Sequence, residues 1–257
     1  MSTLTLAARD SSTMIRRQLK RLVRYPSMTV QLIITPVILL FLFVYVFGGT
    51  LGNGLGGGRD AYVNYVVPGI LLMAAATAAT GTAVMVATDM TEGIIARFKT
   101  MHISRASVLT GHVAASLVQQ LLGAAVLVGI AYAIGFRPNA TLIEWIAAAG
   151  LLVFFILAIT WLSVALGLKS PTPEAAANAP MPLVFLPFLG SGFVPTDSMP
   201  TALRWFAEYQ PFTPIMETLR GLLLGTPIGN SGPIALAWCA GLITVSYLWA
   251  KNTFNKA

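Results

Sequence analysis

The sequence predicts an all-α polytopic membrane protein, and two observations predict it. Of the 257 residues, 56% are hydrophobic and only 10% are charged, whereas soluble domains carry about 25% charged residues. A soluble chain of this composition would have too little polar surface to cover its core. The apolar residues also form continuous runs rather than alternating ones, which indicates membrane-spanning helices rather than the strands of a barrel.

Six apolar runs are each long enough to cross a bilayer, which takes about 20 helical residues. The predicted spans are residues 29–48, 61–86, 108–134, 142–168, 175–194 and 233–250. A glycine-rich loop at 48–60 and short polar breaks at 135–139 and 169–174 separate several of them. The fifth span is the least regular because Pro180, Pro182 and Pro187 interrupt it, and such prolines are tolerated only where neighbours satisfy the freed carbonyls.

The distribution of basic residues predicts the orientation of these spans. With the N-terminus inside, the inner segments hold 12 of the 16 Lys and Arg residues and the outer segments hold 4. Cytoplasmic segments carry such an excess of positive charge. We therefore expect a multi-pass protein with both termini in the cytoplasm.

Residues 10–25, before the first span, are expected to form an amphipathic helix. Ile15, Leu19, Leu22 and Val23 share one face, and Pro26 ends the helix. A helix of this kind lies at the membrane surface with its basic side toward anionic lipid headgroups. Nucleic-acid binding is the less favoured alternative. The basic side comprises Arg16, Arg17, Lys20, Arg21 and Arg24.

A second charged amphipathic segment, residues 89–105, lies between the second and third spans on the cytoplasmic side. Asp89 and Glu92 have the spacing of a capping box. Met90, Ile94, Phe98 and Met101 follow on one helical face. Two interpretations remain open. The apolar face rests on the protein's own bundle, or the helix docks on a soluble partner.

Residues 196–226, on the outer side between the fifth and sixth spans, are too polar to cross the membrane. We predict two short helices joined at Gln210-Pro211, the first capped by Thr196 or Asp197 and the second by Thr213. Glu217 and Arg220 have the spacing of an i, i+3 ion pair. The pattern indicates a re-entrant hairpin, whose non-helical backbone must be buried in protein or line a cavity.

The sequence lacks the motifs of several kinds of chemistry. It contains no G-x-x-x-x-G-K-[ST] and no H-E-x-x-H or Cys/His cluster. No paired carboxylates lie in mid-span, so a proton relay of the Asp/Glu type is not expected. We therefore expect no catalytic residue, bound metal or cofactor in this chain. The neutral polar residues at depth either bond between helices or line a pathway: Gln31, Gln119, Gln120 and Asn178.

Four blocks in order carry a resemblance that covers most of the chain: residues 24–48, 65–73 (YVVPGILLM), 92–112 and 192–225, the last with PFTP and LRGLLLG. The chain resembles the membrane permease subunits of bacterial type-2 ABC exporters, most closely the daunorubicin- and doxorubicin-resistance permeases of actinomycetes. The resemblance implies the plasma membrane of a bacterium and export of an amphipathic substrate, either a drug-like metabolite or a lipid.

The resemblance also implies partners and roles. The 89–105 segment would be a coupling helix that docks on a separate ABC ATPase, which binds ATP–Mg, and a second permease chain, identical or related, would complete the complex. The helix at 10–25 would be the connecting helix at the membrane surface. The docking residues would be Glu92, Gly93, Ile94, Arg97, Phe98 and Lys99, and the outer gate would comprise Phe206, Pro211, Phe212, Glu217 and Arg220. The alternatives are a non-transporting scaffold or lipid-binding protein, or a permease for a polysaccharide or glycolipid.

Overall fold

A computed structural model describes residues 26–92 and 105–256. The predicted helix at 10–25 and residues 93–104 of the predicted coupling helix lie outside this part of the chain. The described residues form helices joined by turns and contain no strand. In order, they are α1 (Pro26–Phe41), a π-helix (Leu42–Phe47), α2 (Gly48–Gly54), α3 (Gly58–Thr91), α4 (Arg105–Ala133), α5 (Leu142–Lys169), α6 (Pro173–Asn178), α7 (Met181–Phe185), a 3-10 helix (Thr196–Ser198), α8 (Thr201–Tyr209), α9 (Phe212–Leu224) and α10 (Ser231–Lys256).

Five helical stretches among the described residues are long and apolar enough to cross a membrane. Predicted spans one to four and six each overlap one of them, so the chain is an all-helical, multi-pass membrane protein over the part described. The five stretches are Leu32–Gly54, Gly58–Thr91, Leu109–Ala133, Leu142–Lys169 and Ser231–Phe254.

The fifth predicted span, 175–194, is not one continuous helix. It consists of the short helices α6 and α7 followed by a series of turns that ends at Val194. Pro180, Pro182 and Pro187 cause the interruption because each lacks a backbone N–H and crowds the preceding turn. The segment nevertheless follows α3 along its length. Ala176 packs with Ala83 and Ala87 of α3, and the carbonyl of Phe193 accepts a hydrogen bond from Tyr62 near the other end of α3 (3.2 Å).

Helices α3 and α5 form the centre of the bundle. In each of them 61% of the most apolar 18-residue stretch is buried, against 22% in Leu32–Gly54 and in α10. Helix α3 packs against α1, α4, α5 and α9, and α5 packs against α4, α9 and α10. The two central helices approach closely at Gly167, where a Cβ would lie only 2.5 Å from the carbonyl oxygen of Ala83. A larger residue would force the helices apart.

Contacts near the ends of the helices define two ends of the bundle. At one end, Asn64 accepts a hydrogen bond from the backbone N–H of Arg137, and Asn139 donates to the carbonyl of Leu223. At the other end, the end of α3, the start of α4 and the ends of α5 and α10 meet in one apolar cluster that includes Val86, Leu109, Leu168 and Phe254. We name these the outer end and the inner end, after the predicted orientation.

Two predicted boundaries differ from the structure. Part of the predicted glycine-rich loop is helical, since α2 continues the first span to Gly54 and only residues 55–57 form the turn. The glycines there permit close packing, because a Cβ at Gly52 would collide with the backbone of Gly58. Helix α3 continues through Thr91 with Glu92 at its C-cap, so Asp89 lies inside α3 and does not cap a new helix.

Candidate functional site

Helix α9 lies inside the bundle although its flanking segments do not. Ten of its 13 residues are buried. The ring of Phe212, at its start, packs edge-on against Phe155 of α5, with centroids 5.1 Å apart. Phe155 comes 13 residues after the start of α5, which corresponds to about 20 Å of helix. The last turn of α9 reaches the outer end, where Leu223 bonds Asn139. Helix α9 therefore runs from the middle of the bundle to its outer end.

Arg220 of α9 is the centre of a polar network at the outer end. Its Nη2 donates to the carbonyls of Ser191 (2.9 Å) and Tyr65 (3.1 Å), and its Nη1 pairs with Glu217 (2.7 Å). The guanidinium also stacks on the Tyr65 ring, 3.8 Å from the centroid, and the Tyr65 hydroxyl donates to Ser191 (2.9 Å). The Glu217–Arg220 pair predicted from the sequence is thus present.

Burial of Arg220 explains why the network has so many members. The residue is only 5% exposed, and a buried guanidinium is tolerated only when its donors are paired. Glu217 supplies the opposite charge, and two backbone carbonyls accept the remaining bonds. Since those carbonyls belong to α3 and to the turn-rich 186–194 segment, one side chain joins three parts of the chain.

Gln210, in the turn between α8 and α9, bonds the start of α9 near the middle of the bundle. Its amide nitrogen donates to the carbonyl of Leu186 (3.3 Å) and to Thr213 (3.0 Å). Its amide oxygen accepts from the backbone N–H of Phe212 (3.1 Å). The Gln210 side chain therefore satisfies the first N–H of α9 from a position before the helix. The prediction that Thr213 is the N-cap is wrong, because α9 begins at Phe212 after Pro211.

The first arm of the predicted hairpin is exposed. It comprises the 3-10 helix Thr196–Ser198 and α8, whose N-cap is Pro200, so neither Thr196 nor Asp197 caps α8. Arg204 of α8 pairs with Glu208 (2.7 Å) and Asp197 (2.6 Å). The hydrogen bond to Glu208 and the charge of Asp197 raise the pKa of Arg204 above its ordinary value. The guanidinium of Arg204 stays charged on this surface.

The five residues predicted as an outer gate fall into different environments and depths, with Arg220 at the outer end and Phe212 near the middle of the bundle. Phe206 is 41% exposed on α8, whereas Phe212 is 1% exposed and packs inside the bundle. Pro211 is half-buried between them. Glu217 and Arg220 belong to the polar network. These positions are compatible with roles at the outer end, but only Phe206 presents an exposed aromatic ring.

Gln119 and Gln120 lie together in the middle of α4, beside a small cavity of about 30 Å³. Both are buried, at 8% and 7% exposure. Gln120 donates to Thr160 of α5 (3.1 Å), while its amide oxygen has no hydrogen-bond partner among the described residues. A cavity of this size holds one or two water molecules. It is otherwise apolar, with walls from α1, α3, α4 and α5.

The other two predicted pathway residues do not join this pair. Asn178 is exposed on α6 and donates back to the carbonyl of Glu174 (3.3 Å). The side chain of Gln31 lies outside the described part of the structure. The amide site therefore comprises Gln119, Gln120 and Thr160.

The inner end holds a buried pair that the sequence pattern did not predict. His112 Nε2 of α4 lies 3.2 Å from Asp89 Oδ2 of α3, and the two side chains are 2% and 1% exposed. An Asp and a His are therefore buried at this end, in addition to the neutral polar residues singled out from the sequence. A lone Asp and a lone His at facing ends of consecutive spans could have suggested the contact, but the same Asp also fits a capping motif.

Of the predicted docking residues, the structure describes only Glu92, which is exposed at the end of α3. Gly93, Ile94, Arg97, Phe98 and Lys99 lie outside the described residues, as does the basic side of the N-terminal helix. The ends of α3 and α4 that flank residues 93–104 meet at the inner end of the bundle.

Comparison with known proteins places this architecture in a family. The family model described as ABC-2 type transporter matches residues 10–224. The chain is similar to the daunorubicin resistance ABC transporter permease protein DrrB1 of Streptomyces coeruleorubidus, with 24% identity over 222 residues, which are 86% of this chain and 77% of that protein. It is also similar to the probable doxorubicin resistance ABC transporter permease protein DrrC of Mycobacterium tuberculosis, with 26% identity over 214 residues, which are 83% and 78% of the two chains.

These matches agree with the sequence resemblance and with an all-helical membrane bundle. The family match includes the predicted N-terminal helix, five of the six predicted spans and the Arg220 network. Because it covers well over half of the sequence, the protein belongs to the ABC-2 type transporter family.

Proposed function

We propose that this chain is the membrane-spanning subunit of an ATP-driven exporter of amphipathic, drug-like molecules. The observation that carries the proposal is the family match over residues 10–224. The names of the relatives, which refer to daunorubicin and doxorubicin resistance, support the substrate class.

A separate ATPase would supply the energy. The 257 residues contain no P-loop, so ATP–Mg would bind to a soluble ABC subunit. That subunit would dock on residues 92–99, between α3 and α4, and two permease chains would assemble with two ATPases. Closure of the ATPase pair would move these segments and convert the permeases from inward-facing to outward-facing.

The substrate would pass the amide site in the middle of the bundle. The free amide oxygen of Gln120 can accept a hydrogen bond from a hydroxyl or ammonium group, and the apolar walls beside it suit an aromatic ring. The cavity in this structure is too small for a drug-like molecule. The outward movement would therefore have to widen it, with the second permease chain supplying the opposite wall.

The turn-rich segment 173–194 would be the sixth crossing. Its two ends lie beside Ala83–Ala87 and Tyr62 of α3, which are roughly 35 Å apart at the rise of an α-helix. That separation matches the thickness of a bilayer's hydrocarbon core. Six crossings return both termini to the cytoplasm. The chain then re-enters the membrane from the outer side before Phe212, and α9 returns it to that side, as the second arm of a re-entrant hairpin.

Co-purification followed by transport tests the proposal. The chain is extracted in mild detergent from its host, and its stoichiometric partners are identified. Inside-out vesicles that contain the complex are then supplied with daunorubicin and ATP. We expect an ATPase partner and uptake that requires hydrolysable ATP. A chain that retains its fold but recovers no ATPase in several detergents, and shows no ATP-dependent uptake, contradicts the proposal and favours a non-transporting scaffold.

A further inference from the structure

Two polar contacts join α3 to α4 near the inner end. The first is the buried Asp89–His112 pair, at 3.2 Å. The second is a hydrogen bond between the hydroxyls of Thr82 and Ser116, at 2.8 Å, with both residues 1–2% exposed. Beside them, Val86, Leu109 and Val113 pack in one apolar cluster. Polar groups buried in this way are costly unless they are paired, so each contact favours one relative position of the two helices.

The spacing of the two contacts determines what they can do together. Asp89 and Thr82 are seven residues apart on α3, which is two helical turns or about 10 Å. One contact between two helices leaves them free to pivot about it. Two contacts, about 10 Å apart along α3 and about 6 Å apart along α4, where His112 and Ser116 are four residues apart, fix both the separation and the rotation of the helices.

The pair also occupies a special position in the chain. Asp89 lies three residues before Glu92, at the end of α3, and His112 lies in the third turn of α4. Residues 93–104 connect these two helix ends. A force on that connection acts on both helices, and it moves them as one body only if they cannot slide past each other.

We propose that Asp89 and His112 are positioning residues that hold the inner ends of α3 and α4 as one rigid unit, so that movement of the connecting segment is transmitted to the membrane bundle. The Thr82–Ser116 bond is the second fixed point of this unit. The inference rests on the proposed function, because it assumes that an ATPase acts on that segment.

The first test measures the rigidity of the unit without any partner. Spin labels are placed at Thr91→Cys, which is exposed, and Ala114→Cys, which is half-buried, in a Cys239→Ala background. We expect a narrow distribution of label distances in the otherwise unchanged chain. Asp89→Leu and His112→Leu should each broaden it, and the exchange Asp89→His with His112→Asp should restore a narrow distribution.

The matched control is Thr88→Val. Thr88 precedes Asp89 on the same helix, but its hydroxyl bonds only to Val84 of its own helix (2.9 Å). This change should leave the distance distribution unaltered. Because a leucine variant can fail to fold, Asp89→Asn, which retains a hydrogen-bonding group beside His112, is measured in parallel and should broaden the distribution less.

The second test measures coupling in the reconstituted complex. The leucine variants should still co-purify with the ATPase but should transport less daunorubicin per ATP hydrolysed, by about fivefold or more, the lower range of coupling between sites. If the pair only stabilised the fold, its loss would lower daunorubicin transport and ATP hydrolysis together and leave their ratio unchanged. Narrow distances and an unchanged ratio in the single variants would overturn the inference. A wild-type complex without ATPase binding or transport would instead overturn the proposed function and leave the distance measurement to decide the rigidity of the pair.

Discussion

Two buried glutamines in different parts of the bundle use their amides in opposite ways. Gln210, at the start of α9, donates to Leu186 and Thr213 and accepts from Phe212. Gln120, in the middle, makes one bond to Thr160 and keeps an amide oxygen without a described partner beside a cavity. A fully bonded side chain fixes the chain around it, whereas a free acceptor at a cavity is available to a ligand. The turn before α9 is therefore built for rigidity, and the amide site between α4 and α5 for binding.

The largest effect should come from removing the charge at the centre of the outer network. Arg220→Met leaves the carbonyls of Tyr65 and Ser191 without their donor and Glu217 without its partner. Breaking a buried pair in this way costs about 3–5 kcal/mol. We expect a large drop in the midpoint of thermal unfolding in detergent, measured by tryptophan fluorescence.

Arg204→Met is the matched control for that prediction. Arg204 also has two acidic partners, but its side chain is 46% exposed, and surface ion pairs contribute little. Its midpoint should stay close to that of the unchanged protein. Equal shifts for the two variants would mean that the outer network does not stabilise the fold.

The next largest effect separates the two glutamines directly. Gln210→Leu removes three hydrogen bonds and leaves the Phe212 N–H and the Leu186 carbonyl to be satisfied elsewhere, at a cost of about 2–3 kcal/mol. Gln120→Leu removes one bond and also an unpaired oxygen, so its cost should be about 1 kcal/mol or less. The same unfolding measurement compares them. A larger loss for Gln120→Leu would reverse the proposed division between the two regions.

A smaller effect tests the close approach of the 186–194 segment to α3. A Cβ at Gly69 would collide with the carbonyl of Gly192, whereas a Cβ at Gly81 of the same helix meets nothing within 4 Å. Gly69→Ala should therefore destabilise the protein by about 1–3 kcal/mol through overpacking. Gly81→Ala should stabilise it by up to about 1 kcal/mol, since alanine favours the helix. Shifts of the same sign in the unfolding midpoint would show that the segment does not pack closely on α3.

Gln120→Leu should have the smallest effect on stability and the clearest effect on substrate binding. If the free oxygen of Gln120 contacts the substrate, Gln120→Leu should raise the daunorubicin concentration for half-maximal uptake by up to about tenfold, the value of one neutral hydrogen bond. Asn178→Leu is the control, because Asn178 is exposed on α6 away from the amide site. Uptake that is unchanged in Gln120→Leu and lowered in Asn178→Leu would indicate that the substrate passes along residues 173–194 rather than the amide site.

Sequence patterns predicted the features that depend on local chemistry. The apolar runs gave helices α3, α4, α5 and α10 to within a few residues at most boundaries, and the i, i+3 spacing predicted the Glu217–Arg220 pair. Both follow from neighbours along one helix. The fifth predicted span is also largely apolar, but its prolines prevent a single helix, so hydrophobicity alone overestimated its regularity.

The missed features depend on residues that are distant in the sequence. Tyr65 and Ser191 are 126 residues apart, and the carbonyls that accept the Arg220 bonds have no signature in the sequence. Asp89 matched a capping motif with Glu92, but packing of α3 against α4 buried it beside His112 instead. The tertiary contact outweighed the local preference there.

The broken form of the 173–194 segment has a consequence for biosynthesis. Its turns leave backbone groups that a regular helix would satisfy, and in lipid each unsatisfied group costs several kcal/mol. On the proposed topology the segment cannot enter the bilayer as an independent helix and must insert against α3. Because α3 comes about 80 residues earlier in the chain, the ribosome delivers the template before the segment that needs it. Membrane insertion of this crossing should thus be a late, assisted step in assembly of the protein.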